Sequence, residues 1–164
     1  LKKDLLALKS NQVQSLVLKT EEGGSFSISR DSAETDWKSS SEKSNVPDSE
    51  KITTLLNRLG KLSFSKLYIN DSVSQQAEGT GIIETTMFVS LFDSRVYTLN
   101  LRKNVASNEN YILSIRMGIS MVASDNSEAE DSKLREDMEI YNQQVNGRFY
   151  EISSWEGKEL LLSE

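Results

Sequence analysis

The stretch "ETTMFVSLFDSRVYTLNLRK", residues 84–103, constrains the fold of this chain more than any other. Phe88, Ser90 and Phe92 alternate with Met87, Val89 and Leu91, the chain turns at Asp93-Ser94, and Tyr97, Leu99 and Leu101 then alternate with Val96, Thr98 and Asn100. A period of two on both sides of a turn is a β-hairpin. Apolar residues on both faces of the first strand place the hairpin centrally in a sheet, while Thr98 and Asn100 leave its partner strand half exposed. "NYILSIRMGI" adds a third strand from Tyr111 to Met117.

The first half reads similarly. "VQSLVL" (13–18) and "FSISR" (26–30) flank a Gly-Gly loop and form a second hairpin, and Trp37 follows ahead of the aperiodic loop "SSEKSN". "VPDSEKITTLLNRLGKL" is a helix: Asp48 caps it, Glu50 lies in its first turn, Ile52, Leu55, Leu56 and Leu59 form one stripe, and Gly60 stops it. "SFSKLYI" returns to extended structure, and the polar run at 71–81 joins residues 12–70 to residues 82–162. "SDNSEAEDSKLREDMEIYNQQVNG" is a second helix, with Leu134, Met138, Tyr141 and Val145 as its stripe, acids in its first turns and Gly147 at its end. The tail "NGRFYEISSWEGKELL" supplies a strand, Arg148 to Ile152, and a final helical turn from Ser153 or Ser154. The expected class is α+β, with antiparallel sheets and two main helices, in an order compatible with two related β-β-α halves. No period of identical residues establishes a repeat.

The 164 residues suffice for one domain, or for two small subdomains sharing the work of burial. The 25 acidic against 19 basic residues, a net charge of −6, disfavour nucleic acid, which needs a clustered basic face. The chain has no His and no Cys. That removes thiol nucleophiles, Ser-His-Asp triads and nearly all zinc, copper and haem sites, and no cofactor is expected. Absent cysteines fit either the cytosol or a bacterial periplasm. The chain opens Leu1-Lys2-Lys3 without Met, as a processed protein or a fragment does, so an anchor ahead of it remains open.

Four stretches invite a site reading. "EGTG" (78–81) is followed by a strand and lacks the Lys-Ser/Thr that a phosphate loop needs, so a linker accounts for it. Asp125, Asn126, Glu128, Glu130 and Asp131 offer oxygens for calcium without the alternate-position spacing of a calcium loop; a helix start explains them. Glu151 and Glu156 flank Trp155 as a carboxylate pair beside an aromatic, a composition and not yet a geometry. Asn70-Asp71-Ser72 matches the glycosylation tripeptide, which matters only in a eukaryotic secreted protein. Trp37, Tyr150 and Trp155 are the candidates for ligand or partner contact, each against the alternative of a core or lid residue.

The succession "VQSLVL", "FSISR", Trp37, "VPDSEKITTLLNRLGKL", "ETTMFVSLFDSRVYTLNL" and "NYILSI" resembles a bacterial domain family of unknown function whose members sit outside the cytoplasmic membrane on an N-terminal anchor. Some members lie beside or within the auxiliary part of ABC-type transporters linked to gliding motility. The matching positions are Trp37, Pro47, Asp48, Ile52, Leu55, Leu56 and Leu59, and toward the end Asn142, Arg148, Tyr150, Ile152 and Trp155. The likeness covers about Val13 to Leu161 and consists of packing patterns; "SVSQQAEGTGI" replaces the family's Tyr-Gly-Leu-type turn. It implies a non-enzymatic, extracytoplasmic, membrane-anchored module that binds protein partners of an envelope or transport complex. The alternative is a small-ligand or glycan-binding domain using exposed aromatics. No catalytic residue is implied, and the tail is expected to close the end of the sheet.

Overall fold

The computed structural model describes residues 6, 8–20, 25–39, 49–62, 64, 66–69, 85–103, 110–120 and 128–153. Among the described residues, eight strands and two α-helices make the α+β fold expected from the periodicities. The strands are β1 (Val13–Thr20), β2 (Ser25–Ser29), β3 (Lys38–Ser39), β4 (Lys66–Ile69), β5 (Thr85–Leu91), β6 (Arg95–Lys103), β7 (Tyr111–Ile119) and β8 (Arg148–Ile152), and the helices are α1 (Ser49–Gly60) and α2 (Glu128–Val145). All strands belong to one sheet in the order β3-β2-β1-β5-β6-β7-β8-β4, every pairing antiparallel. The strands of 12–70 and of 82–162 are therefore interleaved, β1 against β5 and β4 against β8, over one continuous core. The 71–81 connection lies outside the described residues, as do "EGTG", "SSEKSN", Asn70-Asp71-Ser72, Asp125, Asn126, Asp48, Trp155, Glu156 and the turn after Ser153.

Both helices pack on one face. Ile28, Leu16, Val89, Tyr97 and Met117 share one register row and Leu18, Met87, Leu99 and Ile115 the next, so the apolar period of each strand lands on the same side. Ile52, Leu55, Leu56 and Leu59 of α1 join that core, while Met138 and Tyr141 of α2 pack against it. The helix stripes expected from spacing are the buried ones, because a 3.6-residue period puts them over the sheet. The outer face carries Val17, Lys19, Thr86, Phe88, Ser90, Val96, Thr98, Asn100 and Arg116, half-buried or exposed.

Three particulars correct the sequence reading. The β5–β6 hairpin is central as expected, yet β5 buries Thr85, Met87, Val89 and Leu91 on the inner face only, and Phe92 is 38% exposed in the turn. That turn forms at Asp93-Ser94, with Ser94 at φ 78° and Asp93 Oδ1 accepting from the Arg95 amide at 3.1 Å. The third strand extends past Met117 to Ile119. α1 ends at Gly60 as expected, but Gly60 is itself helical and does not adopt the left-handed conformation; Gly147, expected at the end of α2, does, at φ 69°.

What Gly60 provides is room. A Cβ there would lie 2.6 Å from the Leu8 carbonyl oxygen, a backbone atom that cannot swing aside. Gly60→Ala is expected to destabilise the fold by about 1–3 kcal/mol, as overpacking does, despite alanine's better helix propensity. A urea melt showing a neutral or stabilising effect would mean that Leu8 yields freely.

Candidate functional site

Trp37 stands at the β3 end of the sheet, and its ring carries the Arg30 guanidinium 4.3 Å from its centroid. Arg30 donates from Nε to the Val13 carbonyl (3.0 Å), from Nη2 to Ser10 (2.6 Å) and from Nη1 to Ala33 (3.2 Å), with Phe92 a further 6.0 Å contact. Burial pushes the Arg30 pKa down from its ordinary value. One planar cation thus ties the turn after β2 to the entry of β1, and Trp37 is the lid on that tie, half-buried against the core. No period or motif marks Arg30 in the sequence.

Tyr150 is a core residue. It is 4% exposed, with its ring 5.0 Å from that of Phe64, so the contact role considered for it has no surface to act through. The alternation at β8 puts Tyr150 and Ile152 on the inner face and Glu151 on the outer one. Glu151 is nonetheless buried, in register with Lys66 and Ile112. Its proposed pairing with Glu156 beside Trp155 lies outside the described residues.

Under α2 lies a tyrosine cluster. Tyr97 and Tyr141 meet edge to face with centroids 5.4 Å apart, and desolvation raises the pKa of Tyr97, Tyr141 and Tyr150, most strongly that of Tyr141. These phenols are held neutral in the folded chain, whereas in the unfolded chain they ionise near pH 10. The unfolded state therefore releases protons that the native state keeps, and stability present below about pH 10 is lost as the pH rises beyond it. Urea midpoints are expected to hold between pH 7 and 9 and to fall above about pH 10, with tyrosinate absorbance from these side chains rising only on unfolding. Tyr141→Phe should shallow that fall; tyrosinate growing near pH 10 in the folded protein would contradict the burial.

Arg95 locks α2 onto the hairpin turn: Nη2 meets Asp137 Oδ2 at 3.1 Å, and Nε lies 3.3 Å from Asp93 Oδ2 without hydrogen-bond alignment.

A concave feature among the described residues is a cleft of about 570 Å³ where β8 leaves β7, a size typical of ligand clefts. The edge of β7 forms its floor at Ser114–Arg116, and the last turns of α2 and the start of β8 form its walls, bringing Arg116, Glu139, Gln143, Asn146, Arg148 and Phe149 together. β8 pairs with β7 only over Tyr111–Leu113. Farther along, the Asn142 side chain closes the edge, its Oδ1 accepting from the Met117 amide at 2.8 Å and its Nδ2 donating to the Met117 carbonyl at 2.9 Å. Sequence reasoning places Asn142 on a helix but cannot show that its amide serves a strand edge.

Compared with family models, with characterised proteins and with solved structures, the chain matches none. Among the described residues, no helix is long and apolar enough to cross a membrane, and no group of three or more acidic residues is placed to hold a metal ion.

Proposed function

We propose that this chain is a non-enzymatic, extracytoplasmic module of a membrane-anchored bacterial protein that binds protein partners in an envelope or transport complex. The observation carrying this reading is the division of the sheet: both helices pack on the inner face, while the outer face offers Val17, Phe88 and Val96 among Ser15, Ser90, Thr86 and Thr98. An apolar centre ringed by hydroxyls is how a transient protein interface is composed. Lys19, over the Phe88 ring at 5.5 Å, adds a cation at its border. The sequence's lack of His and Cys supports a binding role over catalysis. A glycan platform draws no support from the placed aromatics, since Trp37 is covered by Arg30 and Tyr150 is internal.

A photocrosslinking side chain at Ser90 tests this in cells of the source organism. It is expected to capture a discrete protein in the envelope fraction, and the same group at exposed Thr54 of α1 should not. Recovery of the chain in the cytosol, or equal capture from both positions, overturns the reading.

A further inference from the structure

The outer face of the sheet is cationic on a chain whose net charge is −6. Among the described residues it carries Lys19, Arg102 and Arg116, none of them in an ion pair, and the one carboxylate on the same face of the strands, Glu151, is buried. Across the sheet, α2 exposes Glu128, Glu130, Glu136 and Glu139, and its acids outnumber its bases. Lys19 lies over the Phe88 ring at 5.5 Å and Arg102 over that of Phe149 at 5.6 Å, contacts that hold both charges against the sheet. Between the three cations stands Asn100. It is two residues from Arg102 along β6, about 7 Å, one diagonal step from Arg116, about 7–8 Å, and two strands from Lys19, about 10 Å. Thr86 Oγ1 donates to Asn100 Oδ1 at 3.1 Å and so orients the carboxamide. Its Nδ2 then keeps both hydrogens for another acceptor, with no hydrogen bond among the described residues. Asn100, Ser114 and Arg116 also line the cleft beside β8, so the face is recessed at this point.

We propose that the outer face binds an acidic surface of a partner protein and receives one of its carboxylates at Asn100 Nδ2, between Arg102 and Arg116, with Lys19 at the far border. The inference rests on the protein-binding reading above and supplies its partner chemistry. A fixed N–H donor among unpaired cations is complementary to a carboxylate, and charge of one sign on the face selects the opposite sign in what lies against it. The apolar centre at Val17, Phe88 and Val96 favours a protein over other anions. Nucleic acid binds by stacking bases on bare rings, and here Phe88 and Phe149 each carry a cation. A membrane binds side chains that reach into its acyl boundary, and these three are half-buried in the sheet.

An introduced carboxyl tests the site without a partner. In Asn100→Asp the new group is expected to titrate below the ordinary aspartate value of about 3.9, because the three cations favour its charged form. The binding probe is an acetylated and amidated hexapeptide of alternating Glu and Phe, titrated to about 5 mM at low salt against the isotopically labelled chain. It is expected to shift the Asn100 side-chain amide and the main-chain signals of Thr98, Arg102 and Arg116 while leaving Leu56 of α1 unmoved. Raising the salt to about 0.2 M should weaken binding about fivefold. Lys19→Gln, Arg102→Gln and Arg116→Gln should each weaken it about threefold, and Asn100→Asp at least about tenfold. The same peptide with Gln in place of Glu should shift none of these signals. An introduced carboxyl titrating at or above about 3.9, no shift by the Glu peptide, or equal binding of the Gln peptide each overturns the proposal. Phosphatidylglycerol vesicles moving the same signals as well as the peptide does would assign the face to a membrane, and shifts growing with the chain's own concentration would assign it to a second copy; either overturns the acidic protein partner. Discrete capture from Ser90 without these effects would leave the protein-binding reading standing and refute this one, so the two failures are distinguishable.

Discussion

Deletion of every residue after Gly147 is expected to abolish cooperative folding. β8 is an interior strand, between β7 and β4, so its removal strips one partner and leaves the other, β4, without any. Tyr150 and Ile152 each contribute about 1.5–3 kcal/mol of apolar burial, a large fraction of a net stability of roughly 5–15 kcal/mol. The truncated chain would also uncover Tyr111 and Leu113 and a long stretch of unpaired strand, the recipe for edge association. Circular dichroism melts and light scattering should show no sharp transition and growing aggregates. A melting temperature equal to that of the full chain would reduce the tail to an appendage, contrary to its position in the sheet.

Leu56→Ala is expected to cost about 2–4 kcal/mol, through lost transfer energy and the cavity left behind. Leu56 is fully buried on α1, in the same cluster as Leu55, Leu59, Leu16 and Ile28, so no solvent reaches the vacated space and no neighbouring side chain is free to fill it without moving the helix. Denaturant midpoints with an unchanged slope measure it. A loss below about 0.5 kcal/mol would place that stripe against solvent, where substitutions cost little.

Much of the local structure was legible because burial imposes a period. The stripe of α1, the stripe of α2 and the inward set of β6 are spaced as their elements require, and the limits of β8 agree with the structure residue for residue. The helix-start reading of Glu128, Glu130 and Asp131 also agrees, since all three lie in the first turn of α2. Sheet order was not legible. Nothing in "SFSKLYI" says that β4 crosses to the far edge to meet β8, because pairing is decided by which edges remain open once the central strands are placed. The candidate site suffered the same limit. Arg30 and Asn142 act through main-chain groups contributed by other elements, and such partners carry no signature in the residue that meets them. Aromatic residues drew attention by type, yet Tyr150 turned out internal and Trp37 a cover for a cation.

The register that joins Lys66 to Glu151 has a consequence for how the chain is made. Synthesis delivers the N-terminal strands first, so β1 and β2 can form their hairpin while most of the chain is still to be translated. β4 cannot follow them. It leaves the ribosome early and must wait until α2 and β8 have emerged, since β8 is its one sheet neighbour among the described residues. Pairing between such distant segments is slow because the intervening loop must close before any contact rewards it. The short, four-residue span of β4 then acquires a purpose: a strand that spends translation uncovered presents little edge to a neighbouring nascent chain.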